Sequence, residues 1–153
     1  MDIFFADEQD VPLSTEPLRQ LAGLVLEEEG LPIDTEVAIL LVPDDQIADY
    51  NERFMNRQGA TDVLAFPLEE LEPAKPPKGQ PGVPLSLGDV IIAPSYVQSV
   101  AVERGVGFEA ELALMVVHGL LHLLGYDHAL DRDAEHMESR ERELLARVGI
   151  ERA

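Results

Sequence analysis

A chain of 153 residues, 46% hydrophobic and 27% charged, has the length and makeup of one globular domain spanning residues 1–153, not of a disordered segment. With no cysteine it can form neither disulfides nor thiolate metal sites, so any metal must be held by imidazole, carboxylate or water. Thirty acidic residues against 11 Lys and Arg give a formal net charge of −19, which argues against a broad basic nucleic-acid footprint but leaves room for a small basic patch.

No apolar run approaches the roughly 20 residues that span a bilayer. The segment Met1–Asp7 has neither the basic region nor the long apolar stretch of a signal peptide, so a cytoplasmic location with no membrane partner is expected. Ile3-Phe4-Phe5 reads as a short edge strand. From Thr15 to Glu29, Leu18, Leu21, Ala22, Val25 and Leu26 recur at helical spacing, with Thr15 as N-cap, Pro17 in the first turn and Gly30 as the stop. Glu36–Val42 is a strand closed by Pro43, and a helix over Asp44–Phe54 carries Ile47, Tyr50 and Phe54 on one face. Asp62–Pro67 is a third strand, and the Pro- and Gly-rich stretch from Pro73 to Pro84 is a loop. A fourth strand over Leu87–Ala93 is followed by a helix that Pro94 opens and that runs to about Val102. The helix over Glu109–Leu124 is apolar on nearly every side, which places it centrally. A final helix over about Asp133–Val148 has Met137, Leu144, Leu145 and Val148 on one stripe. This order predicts an α+β domain, with helices packed on a small mixed sheet.

Chemistry concentrates in His118-Gly119-Leu120-Leu121-His122-Leu123-Leu124-Gly125-Tyr126-Asp127-His128. Residues four apart on a helix share a face, so His118 and His122 present two imidazoles to one point. Gly125 is a natural left-handed C-cap, and the turn it makes brings His128 in as a third ligand. Three protein ligands with an open position is the pattern of a catalytic zinc. The alternative, hydrogen-bonded core histidines, fits poorly: three of the four histidines fall within 11 residues of apolar sequence, where unpaired imidazoles are costly to bury. His136, on the charged last helix, is expected to face solvent.

The spacing equals that of the metzincin peptidases, H-E-x-x-H-x-x-G-x-x-H, except that Gly119 stands where the peptidase has its general-base glutamate. Peptide hydrolysis by a metzincin-like metal-dependent hydrolase is therefore the weaker reading.

The segment from His118 to His128 resembles the signature H-G-x-L-H-L-x-G-Y-D-H of the YbeY-type endoribonucleases and rRNA maturation factors, and matches it at every specified position. Thr61-Asp62-Val63-Leu64-Ala65-Phe66-Pro67 is similar to that family's T-[DN]-V-L-[SA]-F-P strand, Leu87-Gly88-Asp89-Val90 to its L-G-D-[IV] strand, and Tyr50-Asn51 falls near its L-N pair. The resemblance covers the chain from about Asp34 onward. It implies helices around a four-stranded sheet and a zinc-bound endoribonuclease specific for single strands, with one zinc per chain on His118, His122 and His128. It further implies a cytoplasmic role in 16S rRNA 3′-end processing and ribosome quality control. The implied partners are ribosomal RNA, the small ribosomal subunit with its proteins, and a ribosome-associated GTPase. A non-catalytic assembly factor, with the metal merely closing the fold, is the other class left open.

One departure stands out. The family commonly places an arginine six residues before the threonine of the T-[DN]-V-L strand, where this chain has Met55. Arg57, two residues on, either supplies that charge as a catalytic residue or is a solvated loop residue. Asp89 and Asp127 are candidates for orienting a ligand histidine through its second nitrogen, against plainer roles as a strand cap and a turn residue. Lys75 and Lys78, the only lysines, lie in the Pro/Gly loop, either touching RNA phosphates or simply solvated.

Overall fold

The computed structural model describes residues 1–153, in the order β1 (Asp2–Asp7), α1 (Glu16–Glu28), β2 (Thr35–Leu41), α2 (Asp44–Met55), β3 (Val63–Pro67), β4 (Leu85–Ile92), α3 (Pro94–Arg104), α4 (Phe108–Leu123) and α5 (Asp131–Ala146). The four strands form one sheet in the order β1-β2-β4-β3. β1 and β4 both run parallel to β2, while β3 pairs antiparallel with β4. Parallel neighbours need a crossover, and α1 supplies the one between β1 and β2. The mixed sheet and the α+β class are as the sequence predicts.

Strand alternation sorts the side chains onto two faces. Thr35, Val37, Ile39 and Leu41 of β2 are buried on one face, and Glu36, Ala38 and Leu40 point to the other. The first face, continued by Leu87, Val90 and Ile92, meets Leu21, Val25 and Leu26 of α1 and the whole length of α4 in the main core. On the second face a smaller cluster of Val42, Ile47, Leu64, Ile91 and Ala93 is covered by α2, and an open apolar groove lined by Phe4, Leu40, Phe54 and Phe66 lies beside it.

α4 is central, as its sequence suggests. Eleven of its sixteen residues are buried, and it packs against α1, α3, α5, β3 and β4. No single helix is long and apolar enough to cross a membrane.

Several boundaries differ from the sequence reading. β1 reaches Asp7, β4 begins at Leu85 and α3 continues to Arg104. Thr15 precedes α1 in a helical conformation with no side-chain capping bond; its carbonyl instead accepts from the Arg19 N–H at 2.9 Å. Val148 lies beyond the end of α5 and is 45% exposed, so the buried stripe of that helix is Met137, Glu141, Leu144 and Leu145.

Candidate metal centre

The centre is built at the C-terminal end of α4. His118 and His122 are one turn apart, and their Nε2 atoms approach to 3.1 Å. After His122 the helix closes in a Schellman arrangement: Gly125 N–H donates to the His122 carbonyl at 3.1 Å and Tyr126 N–H to the Leu121 carbonyl at 3.0 Å. Gly125 has φ +97°, and a Cβ there would fall 2.1 Å from the Leu71 carbonyl oxygen, so glycine is required both for the turn and for the strand of chain passing behind it. The reversed chain carries His128 back to the other two. The ring centroids are 4.6, 4.9 and 5.4 Å apart, and one ligating nitrogen from each of the three lies within 4.8 Å of the others. His118 and His122 are half-buried and His128 is exposed, which leaves the cluster open to solvent on one side.

The second nitrogen of each helical histidine is fixed. His118 Nδ1–H donates to Glu141 Oε2 at 2.6 Å, and His122 Nδ1–H donates to the Tyr126 carbonyl at 2.9 Å. Both rings therefore turn an unprotonated Nε2 toward the same point. Two lone pairs facing each other at 3.1 Å repel unless a metal ion lies between them or one nitrogen carries a proton and donates to the other. Two imidazole nitrogens on a tetrahedral ion with bonds of about 2.0–2.1 Å would stand roughly 3.3 Å apart, close to what is found. The donor set fits one metal ion. Burial first, then the neighbouring His118 and His128, push the His122 imidazole below its ordinary pKa, so it is neutral and ligand-competent at neutral pH.

Behind the turn, a buried polar network holds Tyr126 in place. Its phenol donates to Glu29 Oε2 at 3.1 Å, and Arg140 Nε donates to Glu29 Oε1 at 2.7 Å. Burial and the Glu29 carboxylate push the Tyr126 phenol up to about 12, so it stays a hydrogen-bond donor across the physiological range. By fixing Tyr126, the Glu29–Arg140 pair also fixes the carbonyl that orients His122.

Gly119 faces the sheet. A Cβ there would come within 2.5 Å of Val90 Cγ1 and 3.3 Å of Val63 Cγ2. A side chain at the position where a metzincin carries its glutamate would have to displace Val90, so the peptidase reading lacks its base and a ready space for one.

The other sequence candidates are dispersed. Arg57 is exposed in the connection between α2 and β3; its backbone N–H donates to the Asn51 carbonyl at 3.2 Å. No ion pair or hydrogen bond engages its guanidinium or joins it to the histidines. Met55 ends α2 at the surface. Asp89 does not orient a ligand: it lines the groove on the second sheet face, whereas its neighbour Val90 faces α4. Asp127 serves the turn, its Oδ1 accepting from the His128 N–H at 2.7 Å. His136 is exposed, with its ring 5.2 Å from that of Tyr126 and outside the cluster. Lys75 pairs with Glu72 at 2.9 Å in an exposed turn, and Lys78 is exposed.

The residues the sequence reading missed are Glu141, Glu29 and Arg140. Glu141 does leave a trace: it falls on the apolar stripe of α5, between Met137 and Leu144, where a carboxylate is buried only with partners.

Comparison with known proteins agrees with this geometry. The chain is 41% identical over 147 residues to the Endoribonuclease YbeY of Thermobifida fusca, covering 95% of this chain and 93% of that one. It is 38% identical over 146 residues to the protein of the same name from Mycobacterium sp. strain KMS, covering 95% and 82%. A Thermotoga maritima protein solved in solution superposes with a TM-score of 0.62 at 28% identity, covering 95% of this chain and 91% of that one. The family described as Endoribonuclease YbeY matches residues 4–149, nearly the whole sheet and every helix that shapes the histidine cluster, and the chain belongs to that family.

Proposed function

We propose that this protein is a zinc-dependent endoribonuclease that cuts single-stranded RNA, acting in the cytoplasm on ribosomal RNA at the 3′ end of the 16S species and in ribosome quality control. The observation that carries the reading is the convergence of His118, His122 and His128 on one open point, with Gly119 where a metzincin peptidase has its general-base glutamate. The relatives named Endoribonuclease YbeY support it. The small ribosomal subunit, its proteins and a ribosome-associated GTPase are the proposed partners.

His118, His122 and His128 would hold one ion per chain. Bound there, zinc supplies a Lewis acid that lowers the pKa of a coordinated water from 15.7 toward about 7 and polarises a phosphoryl oxygen. RNA brings a 2′-hydroxyl nucleophile of its own, so a dedicated carboxylate is less needed than in proteolysis. Arg57, exposed and without an ion-pair partner, is the proposed source of positive charge for the phosphorane-like transition state.

The test is metal analysis of the purified chain paired with cleavage assays. Zinc-loaded protein should cut single-stranded RNA, leave the DNA analogue largely intact and not turn over casein. Robust casein cleavage without RNA cleavage would overturn the assignment. A folded, metal-free protein that still cleaves RNA would remove zinc from it.

A further inference from the structure

The carboxylate behind His118 has a second partner that none of the preceding chemistry uses. Glu141 is 1% exposed, and its two oxygens are divided between two residues: Oε2 accepts from His118 Nδ1–H at 2.6 Å, and Oε1 accepts from Arg152 Nε–H at 3.0 Å. Arg152 belongs to the segment after α5, which folds back so that Ile150 N–H donates to the Leu145 carbonyl at 3.0 Å. The Arg152 side chain is only 20% exposed, and its other groups meet Glu138 Oε1 at 3.7 Å and the Ala153 carbonyl at 3.3 Å. The same segment is tied to the other side of the bundle, because Arg104 of α3 donates both to the Ala153 carbonyl at 3.2 Å and to the buried Glu111 at 2.9 Å. Glu111 and His118 are seven residues apart on α4, two turns along one face, so these ionic contacts run beside the stripe that carries the metal ligand.

We infer that Arg152 is a positioning residue of the metal centre, acting through Glu141 to hold the His118 ring in the orientation that aims Nε2 at the metal. A carboxylate with one oxygen bonded and the other buried without a partner is under-satisfied, and it gains by rotating or by admitting water. Either change moves the acceptor away from Nδ1–H. With Arg152 in place, both oxygens are occupied, the carboxylate plane is fixed, and the imidazole cannot swing without breaking a charge-assisted bond. Carboxylates that orient ligand histidines are worth about 10–100-fold in metal affinity. The arginine that orients the carboxylate shares in that effect.

This inference rests on the three-histidine metal site. The experiment is a competition titration of zinc against a chromophoric chelator, with the visible spectrum of the cobalt(II) form as a second readout. It uses the full chain as wild type, Arg152→Ala, Arg152→Lys, Glu141→Gln and the double variant Arg152→Ala/Glu141→Gln. Arg152→Ala should weaken zinc binding by about 10-fold or more and alter the cobalt(II) bands. Arg152→Lys should recover part of the affinity. In the double variant Arg152→Ala should add little to Glu141→Gln, because residues that act in series are not additive. Three results would overturn the role of Arg152: unchanged zinc affinity in Arg152→Ala, a full additive loss in the double variant, or a lowered unfolding midpoint of the metal-free protein with an unmoved cobalt(II) spectrum. A wild-type chain that takes up neither zinc nor cobalt would overturn the metal site itself, which separates that failure from this one.

Discussion

Gly119 lies where α4 packs directly on Val90 and Val63 of the sheet, and the missing side chain has consequences for packing as well as chemistry. Adding one methyl group there forces it against Val90 Cγ1, a branched side chain held at 0% exposure. Gly119→Ala should therefore destabilise the fold by about 1–3 kcal/mol, the usual range for overpacking, as read from the denaturant midpoint. Restoring the peptidase motif with Gly119→Glu should unfold the protein sooner than create a protease. The histidines divide cleanly at the same scale. His118→Ala or His122→Ala should reduce bound metal from about one ion per chain to a small fraction, while His136→Ala leaves it unchanged, by metal analysis of dialysed protein. Arg57→Ala should slow RNA cleavage by roughly 10²-fold, the scale of one lost transition-state donor, with metal content and unfolding midpoint unaltered. Cleavage at the wild-type rate would leave Met55 as an uncompensated departure from the family pattern.

Among the elements, the α4 C-terminus does most to assemble the centre, and it was legible in the sequence because all its information is local. The i,i+4 pair, the helix-ending Gly125 and the returning His128 lie within 11 residues, and helical period plus one capping rule reconstruct them. Element boundaries were off by a residue or two because helix and strand ends depend on packing as much as on propensity. What could not be read is what reaches the site from afar. Glu141 is 23 residues from His118, and Glu29 is 97 residues from Tyr126. Neither partner follows from periodicity. The face on which Asp89 lies depends on register across β2 and β4, and that pairing shifts between Glu36 and Ala38. A one-residue slip of this kind flips every later side chain. Gly125→Ala is the sharpest test of the turn. The new Cβ would clash with the Leu71 carbonyl at a left-handed φ, so the variant should lose stability and bind zinc more weakly together, by thermal melt and by chelator competition.

For the molecule as a whole, a net charge of −19 sets how it meets RNA. Few phosphates can be neutralised by a chain with 11 Lys and Arg, several of them already paired with Glu or Asp. The salt dependence of RNA binding should be shallow, with a log–log slope on the order of −2, matching about three neutralised phosphates on a single strand. A much steeper slope, measured by fluorescence titration across salt concentrations, would reveal a basic cluster at odds with this charge balance. The strand order has a consequence of a different kind, for the sequence of events as the chain is made. β4 is the last strand in the chain and yet lies between β2 and β3, so β3 has no partner until residues 85–92 exist. The core that holds Val37, Ile39 and Leu41 is likewise incomplete until α4, which begins at Phe108, joins α1 in it. A nascent chain that has emerged only to residue 84 can pair β1 with β2 and lay α1 on them, but the part of the apolar core that α4 completes and the edge that β4 will occupy stay in water. Its folding is gated by long-range pairing rather than by local helices. That interval before α4 emerges is when the protein is most exposed to aggregation and most in need of a chaperone.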